Sequence, residues 1–225
     1  MSRIYLNLFL TLRQNAESPA KSKRNRRMKK WIITCLCCLI YCQTNAQNWD
    51  INTVKDVNQW HMHGLSRGLS ISGIALPVGI PTVMGIYALI KKDQPKLKQA
   101  IYIGTSVIEA VGITYGLKYA CDRQRPFVKY PDLIHPVDAP EADSPSFPSG
   151  HSAAAFSLAT SLSIMYPKWY VIAPSAVWAC GVGLARINQG VHYPSDVLTG
   201  AAIGVGCAFV NVYVNKWLNK VLFKE

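Results

Sequence analysis

The chain has 225 residues, half of them hydrophobic, and a formal net charge of +12. That length suits one domain, and no internal repeat is found, which excludes solenoid and array architectures. Nine of the 24 basic residues and only one of the 12 acidic ones lie in residues 1–46. The charge is therefore a local N-terminal feature, not a basic face of the kind that binds nucleic acid.

Residues 1–27 form a basic extension, and Met28 has the look of a natural start. Met28-Lys29-Lys30 is a charged flank, Trp31 to Cys42 an apolar run of 12 residues, and Thr44-Asn45-Ala46 a small-residue ending. Residues 28–46 thus read as a secretory signal peptide with cleavage after Ala46. Twelve residues fall short of the ~20 needed to span a bilayer; left uncleaved, the segment would add a sixth spanning helix. It also holds Cys35, Cys37, Cys38 and Cys42, four of the seven cysteines. Neither a disulfide framework nor a zinc spacing remains.

Residues 47–68 carry apolar side chains at Ile51, Val54, Val57, Met62 and Leu65, with Trp49 and Trp60 beside them. This spacing predicts an amphipathic helix from Trp49 to Leu65. We expect it at the membrane interface; the alternative is a surface helix packed on the domain, with His61 and His63 solvated. Residues 69–225 form the main domain. Leu69 to Ile90 is a charge-free run long enough to span, with a kink expected at Pro77 and Pro81. A basic turn, Lys91 to Lys98, follows. Gln99 to Cys121 is the second span, broken only by Glu109 and ending around Lys118; we expect Glu109 to make a structural contact inside the bundle. Asp122 to Phe147 is polar, with five prolines and five acids, and reads as a lid or substrate-selecting loop. His151–Tyr166, Trp169–Ala185 and Val197–Leu218 are the remaining apolar runs. Gly200-x3-Gly204 is a small-xxx-small pattern for close helix contact. The predicted fold is an all-α integral membrane bundle of five spanning helices, preceded by the interfacial helix.

The chemistry centres on Pro148-Ser149-Gly150-His151. Ser149 is a good N-cap, so free N–H groups of a helix would point back at this tetrapeptide, an arrangement that attracts phosphate. Gly150 lets the backbone approach a ligand closely, and His151 can exchange a proton near neutral pH. Upstream, Lys118 is followed by six residues and Arg125-Pro126; seven positions apart on a helix, the two cations would share a face. Downstream, Arg186 is followed by five residues and His192, and then by three and Asp196. Three cations and a helix N-terminus suit the oxygens of a phosphoryl group. One histidine can attack phosphorus, the other can protonate the leaving oxygen, and a carboxylate can fix the attacker's tautomer.

Lys118-x6-Arg125-Pro126, Pro148-Ser149-Gly150-His151 and Arg186-x5-His192-x3-Asp196 resemble the three motifs of the type 2 phosphatidic acid phosphatase family. That family shares its motifs with bacterial class A acid phosphatases and vanadium haloperoxidases. The resemblance runs over residues 69–218 and departs at one place: Ala185 stands where the family usually has Ser. It implies a phosphatase needing no metal or cofactor. In it His192 is the nucleophile, Asp196 orients it, and His151 is the general acid and then the base for water. Lys118, Arg125, Ser149, Gly150 and Arg186 hold the phosphate.

Sidedness follows independently. With Gln47 outside, every basic turn falls on the inner side, as the positive-inside rule asks, and all three motifs fall on the outer side. These readings lead us to expect a multi-pass protein of a bacterial inner membrane, its site facing the periplasm. Its expected partner is a phosphorylated membrane lipid. Lipid A and undecaprenyl diphosphate lead, phosphatidylglycerol phosphate and phosphatidic acid follow. The rivals are a soluble periplasmic acid phosphatase and a non-catalytic membrane protein resembling the family. Nothing in the residues bears on oligomeric state.

Overall fold

The structure is a computed structural model that describes residues 47–137 and 143–223. The basic extension 1–27 and the signal peptide 28–46 lie outside the described residues. Seven helices and no strand are found among those described: α1 Gln47–Asn58, α2 His63–Lys91, α3 Gln94–Cys121, α4 Pro126–Lys129, α5 Gly150–Met165, α6 Trp169–Asn188 and α7 Pro194–Phe223.

Four of these, α2, α3, α6 and α7, are long and apolar enough to cross a membrane. Their outward faces carry large apolar side chains that a water-soluble protein would bury. On α2 alone Ile71, Val78, Val83 and Ile90 are each more than 60% exposed. Both prolines of α2 lie within one continuous helix. The third apolar run behaves differently. Helix α5 has 16 residues, about 24 Å at 1.5 Å per residue, and it is the hub. It packs against α2, α3, α6 and α7 together, so most of its surface meets protein. Its buried residues are correspondingly small: Ser152, Ala153, Ala154, Ala155, Ser157, Ala159 and Ser161, with one Leu158.

Small residues also set the α5–α7 distance. A Cβ built on Gly200 would lie 2.3 Å from the Ser149 carbonyl oxygen, and one on Gly204 2.3 Å from that of Ala153. Backbone touches backbone at both places, as the Gly200-x3-Gly204 spacing leads one to expect. Hydroxyls supply the polar contacts that hold helices together in lipid. Ser106 on α3 bonds Ser157 (2.8 Å) and accepts from Ser161 (3.1 Å) on α5. The Tyr102 hydroxyl donates to the Ala208 carbonyl on α7 at 2.6 Å. Gly204→Ala should force α5 and α7 apart, since neither opposing atom is a flexible side chain. Overpacking of this kind costs about 1–3 kcal/mol or more. The expected result is a clearly lowered thermal unfolding midpoint in detergent. An unchanged midpoint would contradict this packing.

The expected interfacial helix is shorter than its sequence period suggests and packs on the domain. Helix α1 stops at Asn58, a turn follows, and α2 starts at His63, six residues before the apolar run expected at Leu69. The stop has a local cause. The Asn58 side chain is buried and donates to the carbonyls of His135 (2.9 Å) and Asn188 (2.8 Å), while its oxygen accepts from the His135 amide. Val54 and Val57 bury against Ile134, Ile187, Tyr193 and Val197. Trp49 and Trp60 remain about half exposed. The bundle's two ends differ in chemistry. The three motifs gather at one end, whereas Lys91, Lys92, Lys96, Lys98 and Lys168 mark the other.

Candidate active site

Each motif residue sits where a helix starts or stops. Lys118 lies in the last turn of α3, which ends because Asp122 takes a left-handed conformation (φ 38°). The helix therefore does not carry Lys118 and Arg125 on one face, as their seven-residue spacing suggests. Arg125 instead stands in extended backbone before Pro126, as the residue before a proline prefers. The two cations converge through the end of the polar loop. Lys118 Nζ donates to the Pro145 carbonyl. Arg125 Nε donates to the Ser144 carbonyl (2.9 Å), and its Nη2 to the Ser144 hydroxyl (2.7 Å). The loop is thus fastened from Ser144 onward; residues 138–142 lie outside the described residues.

Ser149 is the N-cap of α5. It is fully buried, and its oxygen accepts from the Ser152 amide (3.4 Å) and hydroxyl (3.0 Å). Its own amide donates to the Asp196 carbonyl (3.0 Å), which ties the second motif to the third. A Cβ on Gly150 would meet only Thr114, at an ordinary 3.8 Å, so the protein itself does not demand a glycine there. Half-buried His151 opens α5 beside Gly73 of α2.

Arg186 is buried in the last turn of α6, and its Nη1 donates to Gln189 Oε1 at 3.1 Å. The Ser70 hydroxyl donates to that same oxygen at 2.7 Å. Gln189 thus holds the arginine in a chain whose preceding residue, Ala185, has no hydroxyl. The turn to His192 passes through Gly190 at φ +71°. A Cβ there would lie 2.5 Å from Ile134 Cγ2, so glycine is required on both counts.

His192 is 1% exposed. Its Nε2 lies 3.5 Å from Arg125 Nη1, and its Nδ1 3.5 Å from Asp196 Oδ2. An arginine N–H facing Nε2 and a carboxylate facing Nδ1 both suit one neutral tautomer, with the proton on Nδ1 and the Nε2 lone pair toward the cations, although Nδ1 makes no hydrogen bond at this separation. Burial foremost, and then the charges of Arg186, Arg125, Lys118 and His151, hold this imidazole well below the ordinary histidine range. Lys118, Arg125, His151 and Arg186 thus lie near enough for their charges to act on this ring. All motif residues are therefore brought together. Among the described residues, no three His, Cys, Asp or Glu side chains are placed to hold a metal ion.

Two residues of this centre lie outside the three motifs. Asp196 is fully buried, and Arg123 Nη1 donates to its Oδ1 at 2.7 Å while the Tyr193 amide donates to Oδ2 at 2.9 Å. Arg123 also lies over the Tyr193 ring (3.8 Å) and pairs through Nη2 with Asp50 Oδ2 of α1 at 2.9 Å. A signal for Arg123 existed, since it sits two places before Arg125 in Asp122-Arg123-Gln124-Arg125-Pro126. None existed for Asp50, an acid in the first turn of a short amphipathic helix.

Comparison with known proteins agrees with this geometry. Residues 99–220, more than half of the chain, match the model of the PAP2 superfamily. A lipid A 1-phosphatase of Rhizobium etli is 32% identical over 128 residues, which are 52% of this chain and 53% of that protein. The match thus spans about half of that relative's length. The undecaprenyl-diphosphatase BcrC of Bacillus subtilis is 28% identical over 155 residues, 66% of this chain and 78% of that one. The crystal structure of LpxE from Aquifex aeolicus aligns with a TM-score of 0.57 at 26% identity, covering 73% of this chain and 95% of the other. With its three motifs assembled at one end of a helical bundle, the chain belongs to the PAP2 superfamily.

Proposed function

We propose that the protein is a membrane lipid phosphatase that works through a phosphohistidine. The observation that carries this reading is the setting of His192. It is a buried imidazole, held toward its neutral form by burial, whose Nε2 faces Arg125 while the charges of Lys118, Arg186 and His151 act on it. A phosphoryl group among those cations has its oxygens balanced by charge and its phosphorus in front of an unprotonated nitrogen. In the first step Nε2 forms a bond to phosphorus and the bond to the leaving oxygen breaks. His151 delivers the proton that oxygen needs. In the second, His151 takes a proton from water, whose oxygen attacks phosphorus and releases phosphate and His192. Lys118, Arg125 and Arg186, with Ser149 and the Gly150 amide at the start of α5, hold the phosphoryl oxygens. Asp196 retains the Nδ1 proton. Its present 3.5 Å separation is of the kind that tightens when substrate binds.

The substrate proposal rests on the apolar exterior of α2, α3, α6 and α7 and on the relatives. Such an exterior also disfavours a soluble acid phosphatase. In the proposed topology five helices, α2, α3, α5, α6 and α7, cross a bacterial inner membrane and present the site to the periplasm. Residues 28–46 act as a cleaved signal peptide. Lipid A or undecaprenyl diphosphate then supplies an exposed phosphate at the membrane surface. The test is phosphate release by purified protein from a panel of lipid A, undecaprenyl diphosphate, phosphatidylglycerol phosphate and phosphatidic acid. The expected outcome is preferential release from one of the first two, inhibited by vanadate and unaffected by EDTA. Release from none of the four, or EDTA-sensitive activity restored by magnesium, would overturn the proposal.

A further inference from the structure

We propose that Asp50 and Arg123 are a positioning pair that fixes Asp196, and through it the ring of His192; the proposal rests on the phosphatase reading above. Arg123, the Tyr193 amide and His192 all face the Asp196 carboxylate. Arg123 takes Oδ1 at 2.7 Å and the Tyr193 amide takes Oδ2 at 2.9 Å, whereas His192 Nδ1 stands off at 3.5 Å. The carboxylate therefore lies where Arg123 and the backbone put it, and the imidazole must adjust to that place. Whatever sets Arg123 sets the direction of the histidine lone pair.

Arg123 is itself held on three sides. Nη2 donates to Asp50 Oδ2 (2.9 Å), Nη1 also donates to the Ser195 hydroxyl (2.7 Å), and the guanidinium plane lies over Tyr193. Asp50 is 1% exposed and saturated. Its Oδ1 accepts the Ser195 amide (3.0 Å) and its Oδ2 the Ser195 hydroxyl (2.5 Å). A carboxylate from α1 thus caps the first turn of α7, where a negative charge also complements the helix dipole. One guanidinium bridges two buried carboxylates, a task that suits the rigid fork of arginine and not the single ammonium of lysine. Asp50 lies outside residues 99–220, the span that matches the family model. A segment N-terminal to the family core thereby completes its centre, and the burial of Val54 and Val57 locks that segment in place.

Asp50→Asn tests this with little change of shape, since asparagine can still accept the Ser195 amide. The expected result with the preferred lipid is a fall in kcat on the scale of outer-shell partners, about 10- to 100-fold, with KM changed less than about threefold because substrate contacts are untouched. Arg123→Lys should give a similar split. The double variant should lose no more than Arg123→Lys alone, because Asp50 acts through Arg123. Thermal unfolding of each variant gives the folded fraction against which kcat is normalised. Unchanged normalised kcat in Asp50→Asn, a loss confined to KM, or losses that multiply in the double variant would each overturn the positioning role. If wild-type protein releases no phosphate, the phosphatase reading fails instead.

Discussion

Replacing His192 with alanine should abolish turnover and the initial phosphoenzyme burst alike, with lipid and aryl phosphates equally. The proposed bond to phosphorus forms at His192 Nε2. His151 opens α5 and has the proposed role of serving the leaving oxygen and water. Deleting a covalent nucleophile costs on the order of 10⁶ in kcat in well-studied hydrolases, so residual activity should fall below detection. His192 is buried, and truncation leaves a cavity beside the Asp196 carboxylate. His192→Asn serves as the second variant, because its amide N–H can still face that carboxylate. Both variants should be inactive, while the asparagine form keeps its unfolding midpoint. Quenched-flow measurement of acid-labile phosphate would show any surviving burst, and a burst in either variant would remove His192 as the nucleophile.

Replacing His151 with alanine should have a large effect that depends on the leaving group. A lipid alkoxide or a sugar hydroxyl leaves poorly without a proton, and general acid catalysis is worth roughly 10²- to 10⁴-fold. A nitrophenolate needs almost none. His151→Ala should therefore lose two to four orders of magnitude on the lipid. It should form phosphoenzyme from the aryl phosphate at a rate close to wild type. The second step still lacks its base, so water attack becomes limiting and a stoichiometric burst should precede slow turnover. Alanine is a good helix former and His151 is only half-buried, so the fold should tolerate the change. Equal losses on both substrates, without a burst, would show that His151 does not act on the leaving group. A burst retained in His192→Ala and lost in His151→Ala would mean that the two roles are reversed.

What could be read in advance, and what could not, divides along physical lines. The site was legible because its chemistry is local: Lys118, Arg125, Ser149, His151, Arg186, His192 and Asp196 are fixed by spacing within three short segments. The helices were legible because lipid demands long apolar runs, and the close approach at Gly200 and Gly204 because only small residues permit it. Three features escaped. The helix under Lys118 ends at Cys121, so an argument from helical phase between Lys118 and Arg125 reached the right grouping by the wrong geometry. Helix α1 shows the same amphipathic pattern whether its apolar face covers protein or lipid, and only the packing of Val54 and Val57 decides. The bridge from Asp50 to Arg123 joins residues far apart in the chain, beyond what any local pattern carries.

The most direct test of the central claim is to trap the enzyme during turnover of its preferred radiolabelled lipid phosphate and map the acid-labile label by peptide. Label on His192, absent from the His192→Asn variant and accumulating in His151→Ala with an activated aryl phosphate, is the expected result. Label on another residue, or phosphate released at full rate with no phosphoenzyme at any time point, would contradict it.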